Sequence, residues 1–214
     1  MFRSGGGLIY FRLLLVDLYL FYCKNHSMKK ILVIDGHPYH KSFCSALVNA
    51  YYENSKNIAD VKVLTLRNLK FDPILHAGYK ERQSLESDLI DAQELVKWSE
   101  HIVIVSPIWW GGPPALLKAF FDRTFLPGFA FKYRPNSQLW DKYLSGRTGH
   151  LIVTSDAPAW WMRWVRGDSI VKSIKNSTLN FVGINPVTVT RLGGVRNYSE
   201  EKRKKILNQF KYSI

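Results

Sequence analysis

At 214 residues the chain is long enough for one domain with a sizeable core, and 46% hydrophobic with 22% charged residues excludes a disordered chain. Two cysteines, Cys23 and Cys44, exclude a disulfide framework and fit a reducing, cytoplasmic setting. A net charge of +13 favours anionic partners, but the basic residues are dispersed and accompany no nucleic-acid motif; phosphorylated small molecules and a weak association with a membrane surface remain.

Residues 1–27 stand apart. Their apolar run, LIYFRLLLVDLYLFY, is interrupted by Arg12 and Asp17, lacks a small-residue cleavage site and is too short and charged to span a membrane. Met28 opens MKKILVIDGHP, which reads as a natural start. We therefore take residues 1–27 as an upstream extension, with a membrane-surface anchor as the alternative, and residues 28–214 as the domain.

Lys30–Asp35 is a β-branched, apolar run that predicts a buried strand. The loop GHPYHKSF follows, then a helical pattern from Cys44 with Ser42 placed as its N-cap. VKVLTLRNL predicts a second strand and FDPILHAGYKERQ an irregular connection. SLESDLIDAQELVKWSE reads as an amphipathic helix leading to a third strand at Ile102–Val105. After the loop SPIWWGGPP a helix resumes at Pro114, with Leu116, Leu117, Phe120 and Phe121 on its apolar face. The segment GFAFKYRPNSQLWDKYLSGRTG reads as long and irregular, a loop able to cover a site. HLIVTSDAP repeats the strand-then-loop pattern. A helix over SIVKSIKNSTLNFVG ends at Gly183, PVTVTRL is the last strand, and a closing helix starts at Ser199 with a capping box. Five strands alternating with helices predict an α/β fold, a five-stranded parallel sheet with helices on both faces.

Three loops follow the first, third and fourth strands, so they open on one edge of the sheet, where open α/β sheets bind ligands. In the first, a helix N-terminus beside Ser42 and His37 suits a phosphate, although Ser42 serves equally as a plain cap. With only Gly36, this loop is neither a GxGxxG fingerprint nor a Walker loop. In the second, Pro107 to Pro114, Gly111 and Gly112 permit close backbone approach, and Trp109 with Trp110 suits a planar aromatic ligand or packs as core. In the third, Thr154 and Ser155 end a strand, and Trp160, Trp161 and Trp164 form either a binding surface or a dimer interface. No metal site is expected.

KILVIDGHPYHKSF, IVIVSPIWWGGPPALLKAFFDRTF and GFAFKY resemble the flavodoxin-fold NAD(P)H:quinone oxidoreductases, the DT-diaphorase-like family with its bacterial drug-modulator and potassium-efflux relatives. The resemblance covers nearly everything from Met28 onward. It implies a flavodoxin-like, doubly wound sheet and a noncovalent flavin, FAD or alternatively FMN. NADPH or NADH would be the donor and a quinone-like small molecule the acceptor, in a homodimer. By position it implies His37, Ser42, Phe43 and Cys44 around the flavin phosphates, and Pro107, Ile108, Trp109, Trp110 and Gly111 along the ring edge. Thr154, Ser155, Asp156 and Ala157 match the second ring-side loop, and Ala130, Phe131 and Lys132 the acceptor pocket.

Three departures are visible. Cys44 stands where the family has asparagine, the ring-side loop is SDAP rather than glycine-rich, and Arg166 stands where mammalian members have histidine. Arg166, on the same segment as Trp161, is the expected charge at the chemistry, and these two are the candidate catalytic residues. Two further readings are a flavodoxin-type electron carrier, disfavoured because such carriers are acidic, and an ancillary subunit of a membrane transporter.

Overall fold

The computed structural model describes residues 28–210; the extension read over residues 1–27 lies outside the described residues. The first strand, β1 (Lys29–Asp35), leads into helix α1 (Phe43–Ser55) and returns through β2 (Ala59–Thr65). Next come α2 (Ser87–Trp98), β3 (His101–Pro107) and α3 (Ala115–Thr124). A short hairpin, β4 (Phe131–Tyr133) and β5 (Trp140–Lys142), precedes β6 (Thr148–Ser155). After β6 a π-type turn over Trp161–Val165 leads to helix α4, residues 169–182, whose middle section Lys172–Leu179 is also π-type. Strand β7 (Val187–Gly193) and helix α5 (Glu200–Gln209) close the domain.

The sheet order is β2-β1-β3-β6-β7 and every pairing in it is parallel. Alternation along the strands sends side chains to two separate cores, because successive residues face opposite sides of a sheet. Leu32, Ile34, Ile102, Ile104, Leu151 and Val153 pack under α2, α3 and α4. Ile31, Val33, Val103, Val105 and Ile152 pack under α1, with Ile206 and Leu207 of α5 against the same cluster. This is the doubly wound arrangement that the strand and helix alternation predicts.

Two local expectations need correction. The segment 128–149 is not wholly irregular, because it contains the antiparallel β4–β5 hairpin. The Trp140 ring in that hairpin stacks on Phe181 at 4.4 Å, and its indole N–H donates to the Phe181 carbonyl at 2.8 Å. Ser199 does cap α5 by accepting from the Lys202 amide at 3.2 Å, but a lysine at that third position cannot return the bond. The cap is one-sided. Gly183, by contrast, ends α4 in the left-handed region, φ 103°, as expected for a C-terminal glycine.

The irregular connection before α2 is held by an arginine. Arg123 of α3 is fully buried, pairs with Glu86 at 2.9 Å, and donates to the Ser84 carbonyl at 2.9 Å and to the Asp72 carbonyl. Its guanidinium thus replaces the hydrogen bonds that a regular element would have supplied.

Two histidines, His101 buried and His150 half-buried, sit near the amino ends of the strands. His101 Nδ1 meets Thr148 Oγ1 at 2.6 Å, and His150 Nε2 meets Thr190 Oγ1 at 2.8 Å. Burial lowers both from the usual 6.5, His101 to about 4, with His150 and Lys29 adding repulsion there. Between those values the unfolded chain holds more protons than the native one, so stability is present above pH 6.5 and lost as pH falls. Each such unmatched proton costs about 1.4 kcal/mol per pH unit. Thermal unfolding followed from pH 7 to pH ~4 should therefore show a steadily falling Tm, flattened by His101→Asn. A flat profile for the unaltered protein would refute this role for burial.

Candidate active site

At the carboxyl edge of the sheet, the loops after β1, β3 and β6 enclose a cleft of about 590 Å³. Its wall contains His37, Ser42, Phe43 and Cys44 from the first loop, and Pro107, Ile108, Trp109, Trp110 and Gly111 from the second. The third contributes Thr154, Ser155, Asp156 and Ala157, followed by Trp161 and Arg166. Every residue expected around a flavin, and both expected at the chemistry, therefore line one space. Tyr39, Met162 and Val195 line it too, and sequence reasoning missed them. Tyr39 is adjacent to the expected loop residues, whereas Val195 follows β7, a strand end that carries no ligand-like side chain pattern.

Ala130, Phe131 and Lys132 do not line the cleft. Ala130 and Phe131 are buried in the core, where the Phe131 ring meets Phe181 at 5.0 Å, and Lys132 is exposed on the hairpin. The hairpin turns the apolar pair inward because its fold needs a core contact of its own.

The first loop is held from below. Asp35, at the end of β1 and 1% exposed, accepts from the His37 amide at 3.1 Å, the Ser45 hydroxyl at 2.8 Å and Arg67 Nη1 at 2.7 Å. Ser42 caps α1 by accepting from the Ser45 amide at 3.1 Å. Because the Ser45 hydroxyl proton goes to Asp35, Ser42 is the donor in the 3.0 Å contact between the two hydroxyls, so a ligand would have to compete with Ser45 for the Ser42 proton. The amides of Phe43 and Cys44 begin the helix and have no intrahelical acceptor, so they point positive ends outward. His37 Nδ1 accepts from the Tyr39 amide at 3.0 Å. Burial lowers the His37 pKa, with Asp35 opposing and Arg67 reinforcing, so the ring is neutral near pH 7 and carries its proton on Nε2. The Cys44 thiol is pushed up to about 12 by burial and lies 3.2 Å from Thr154 Oγ1; it stays protonated and serves as a packing group.

The second loop is a tight reverse turn. Trp109 and Gly112 exchange both backbone hydrogen bonds at 2.9 Å, with Trp110 at φ 52° and Gly111 at φ 82° between them. A tryptophan in the left-handed region is strained, and such strain gathers at functional sites. Trp110 is fully exposed and Trp109 44% exposed, so neither packs as core. The Trp109 amide is spent on the Gly112 carbonyl and is not available to a ligand. The amides of Trp110 and Gly111 at the tip are the ones free to donate. The Ser169 hydroxyl donates to the Gly111 carbonyl and ties the turn to α4.

The third loop turns back on itself, with the Ser155 hydroxyl donating to the Ala157 carbonyl at 2.7 Å. Beyond it, Trp160, Trp161 and Trp164 are all exposed, Trp160 meeting Trp161 edge to face at 5.7 Å. The π-type turn closes with the Arg166 amide donating to the Trp161 carbonyl at 3.0 Å, which brings both residues to the cleft. Asp168 is committed elsewhere, in a two-point ion pair with Arg191 of β7.

A protein-family model described as "Flavodoxin-like fold" matches residues 29–213. The human ribosyldihydronicotinamide dehydrogenase [quinone] is 29% identical over 203 residues, covering 82% of this chain and 86% of that protein. The NAD(P)H dehydrogenase [quinone] 1 of Cavia porcellus is 26% identical over 212 residues, 86% of this chain and 76% of that one. Among solved structures, a protein of Streptococcus mutans UA159 superposes with a TM-score of 0.72 at 29% identity, covering 84% and 95% of the two chains. An NAD(P)H:quinone oxidoreductase from Methanothermobacter marburgensis shares the fold with a TM-score of 0.73 at 21% identity, covering 85% and 94%.

Proposed function

We propose that this chain, which belongs to the flavodoxin-like fold family, is an NAD(P)H-dependent flavoprotein oxidoreductase of the quinone-reducing type. The observation that carries this reading is the convergence of three loops on one cleft, two of them with unspent backbone amides. Its volume is in the range that small-molecule sites occupy. The curated relatives are named as quinone dehydrogenases, which supports the acceptor class.

The residues fit a flavin in chemical kind at each end of the cleft. The α1 amides, the Ser42 hydroxyl and neutral His37 would hold phosphate oxygens. The Trp110 and Gly111 amides would donate to the ring edge, and the Trp109 and Trp161 rings offer flat apolar walls. A bound flavin would supply two-electron transfer between NADPH or NADH and the acceptor. Arg166 would then stabilise negative charge on the acceptor through its guanidinium.

FAD is favoured over FMN by the rim beyond Val195. There the Arg203 guanidinium lies over the Phe43 ring at 4.9 Å and donates to the Val195 carbonyl at 2.6 Å, a cationic shelf that a dinucleotide would use. The reading is of a cytoplasmic homodimer in which the exposed tryptophans near the cleft face the second copy.

The test is direct. The purified protein should be yellow, bleach with NADPH or NADH under anaerobic conditions, and recolour on addition of menadione. Chromatography of the released cofactor separates FAD from FMN. A protein that takes up neither flavin overturns the reading.

Ser42→Ala separates holding from chemistry. It removes a hydrogen bond to a charged group, worth about 0.5–3 kcal/mol. Flavin retention should weaken by roughly one to two powers of ten, while turnover of flavin-saturated enzyme barely changes. Loss of the cap should also cost about 1 kcal/mol of stability. Equal retention by the variant and the parent would place the phosphate elsewhere.

A further inference from the structure

A buried carboxylate directly beneath an anion-binding loop is a liability, since it repels the ligand that the loop is built to receive. Asp35 is such a group, at 1% exposure and bonded to the His37 amide of the loop itself. Its charge is met by one residue. Arg67, just past the carboxyl end of β2, places Nη1 2.7 Å from Asp35 Oδ2, 3.2 Å from the His37 carbonyl and 3.3 Å from Ser45 Oγ. The same carboxylate oxygen takes the Ser45 hydroxyl proton at 2.8 Å, and Ser45 Oγ lies 3.4 Å from the Tyr39 carbonyl. Arg67 does not line the cleft, so its place is behind the loop and not against the ligand.

We propose that Arg67 is a charge-compensating positioning residue, neutralising Asp35 and holding the His37 carbonyl so that the β1–α1 loop receives a phosphate-bearing ligand in a fixed shape. The arrangement explains why an acidic side chain is tolerated here. Asp35 fixes the loop from inside by accepting from the His37 amide and the Ser45 hydroxyl, and Arg67 cancels the field that the carboxylate brings with it. A guanidinium suits this task because one terminal nitrogen, Nη1, lies within reach of the carboxylate, the carbonyl and the hydroxyl together while carrying a delocalised charge. This inference rests on the flavin reading only in that the ligand carries a phosphate.

The test uses inorganic pyrophosphate as the probe, read as a shift in Tm, alongside FMN and riboflavin binding in the full chain. Arg67→Gln keeps hydrogen-bond donors but deletes the charge, and should weaken pyrophosphate and FMN by about tenfold or more. Riboflavin, which has no phosphate, should bind unchanged. Arg67→Lys restores the charge and should remain within about threefold of the parent. In Asp35→Asn/Arg67→Gln both charges are gone, and phosphate affinity should recover to within about threefold. A double variant as weak as Arg67→Gln alone would mean that Arg67 touches the ligand, and would overturn compensation. So would a normal Arg67→Gln.

An uncompensated buried carboxylate can prevent folding. If Arg67→Gln does not fold, the neutral double variant decides alone: near-parental pyrophosphate binding supports the proposal, and a loss of about tenfold or more overturns it. A parent that binds pyrophosphate but neither FMN nor riboflavin would refute the flavin reading while the Arg67 series still stands or falls by the same ordering.

Discussion

Gly193→Ala is expected to lower Tm by about 6–12 °C and to strip the protein of bound flavin. A Cβ added at Gly193 would lie 2.1 Å from the Ala159 amide nitrogen, 2.7 Å from the Pro158 carbonyl carbon and 2.8 Å from the Ala157 oxygen. All three are backbone atoms, so no side chain can rotate away. Either β7 or the chain from Ala157 to Ala159 must move. The Gly194 amide donates to the Ala157 carbonyl at 3.0 Å, which presses the two segments together and leaves little room for relaxation. Overpacking of this kind costs about 3 kcal/mol at the upper end of its ordinary range, and for a chain of this size each kcal/mol is roughly 2–4 °C. The displaced segment is the third loop of the cleft, so the loss of stability and of cofactor should come together. A variant with normal Tm and normal flavin content would show that this close approach is not needed.

Gly111→Val should leave the fold standing and remove most of the turnover. At φ 82° a β-branched residue is in a region it strongly avoids, and its Cβ would sit 3.3 Å from the Ser169 hydroxyl that anchors the turn. The tip carrying the free Trp110 and Gly111 amides must then reshape. Loss of one aimed donor at a developing charge costs about two to three powers of ten in kcat. The fall should appear at saturating flavin and saturating NADPH, which distinguishes it from the retention defect of Ser42→Ala. Normal reduction by Gly111→Val, paired with a dead Ser42→Ala, would reverse the roles given to the two loops.

The sheet was readable because its strands are β-branched runs with no competing pattern: ILVI, HIVIV, LIVT and VTVT all lie where strands lie. The carboxyl-edge loops were readable for a related reason. Prolines, glycines and paired tryptophans interrupt strand and helix alike, so the breaks mark the cleft. The hairpin was not readable, since three-residue strands such as Phe131–Tyr133 carry too little alternation to stand out. The match of Ala130, Phe131 and Lys132 to the family's acceptor pocket is one of position alone; in this fold Ala130 and Phe131 are buried, and an apolar motif serves a core as readily as a pocket. Arg67 was invisible because its partner lies 32 residues away on a neighbouring strand. The only local hint was an aspartate ending an otherwise apolar buried strand, a position where a lone charge needs an answer from elsewhere.

Five of the seven tryptophans stand on the two loops at the cleft mouth, and all five are exposed. The remaining two, Trp98 and Trp140, lie half-buried away from it. The ultraviolet emission of this protein therefore comes mainly from indoles in contact with water beside an empty or filled cleft. A chromophore entering there would absorb that emission at close range. The chain thus carries its own optical gauge of occupancy, readable by dimming of intrinsic fluorescence without any attached dye.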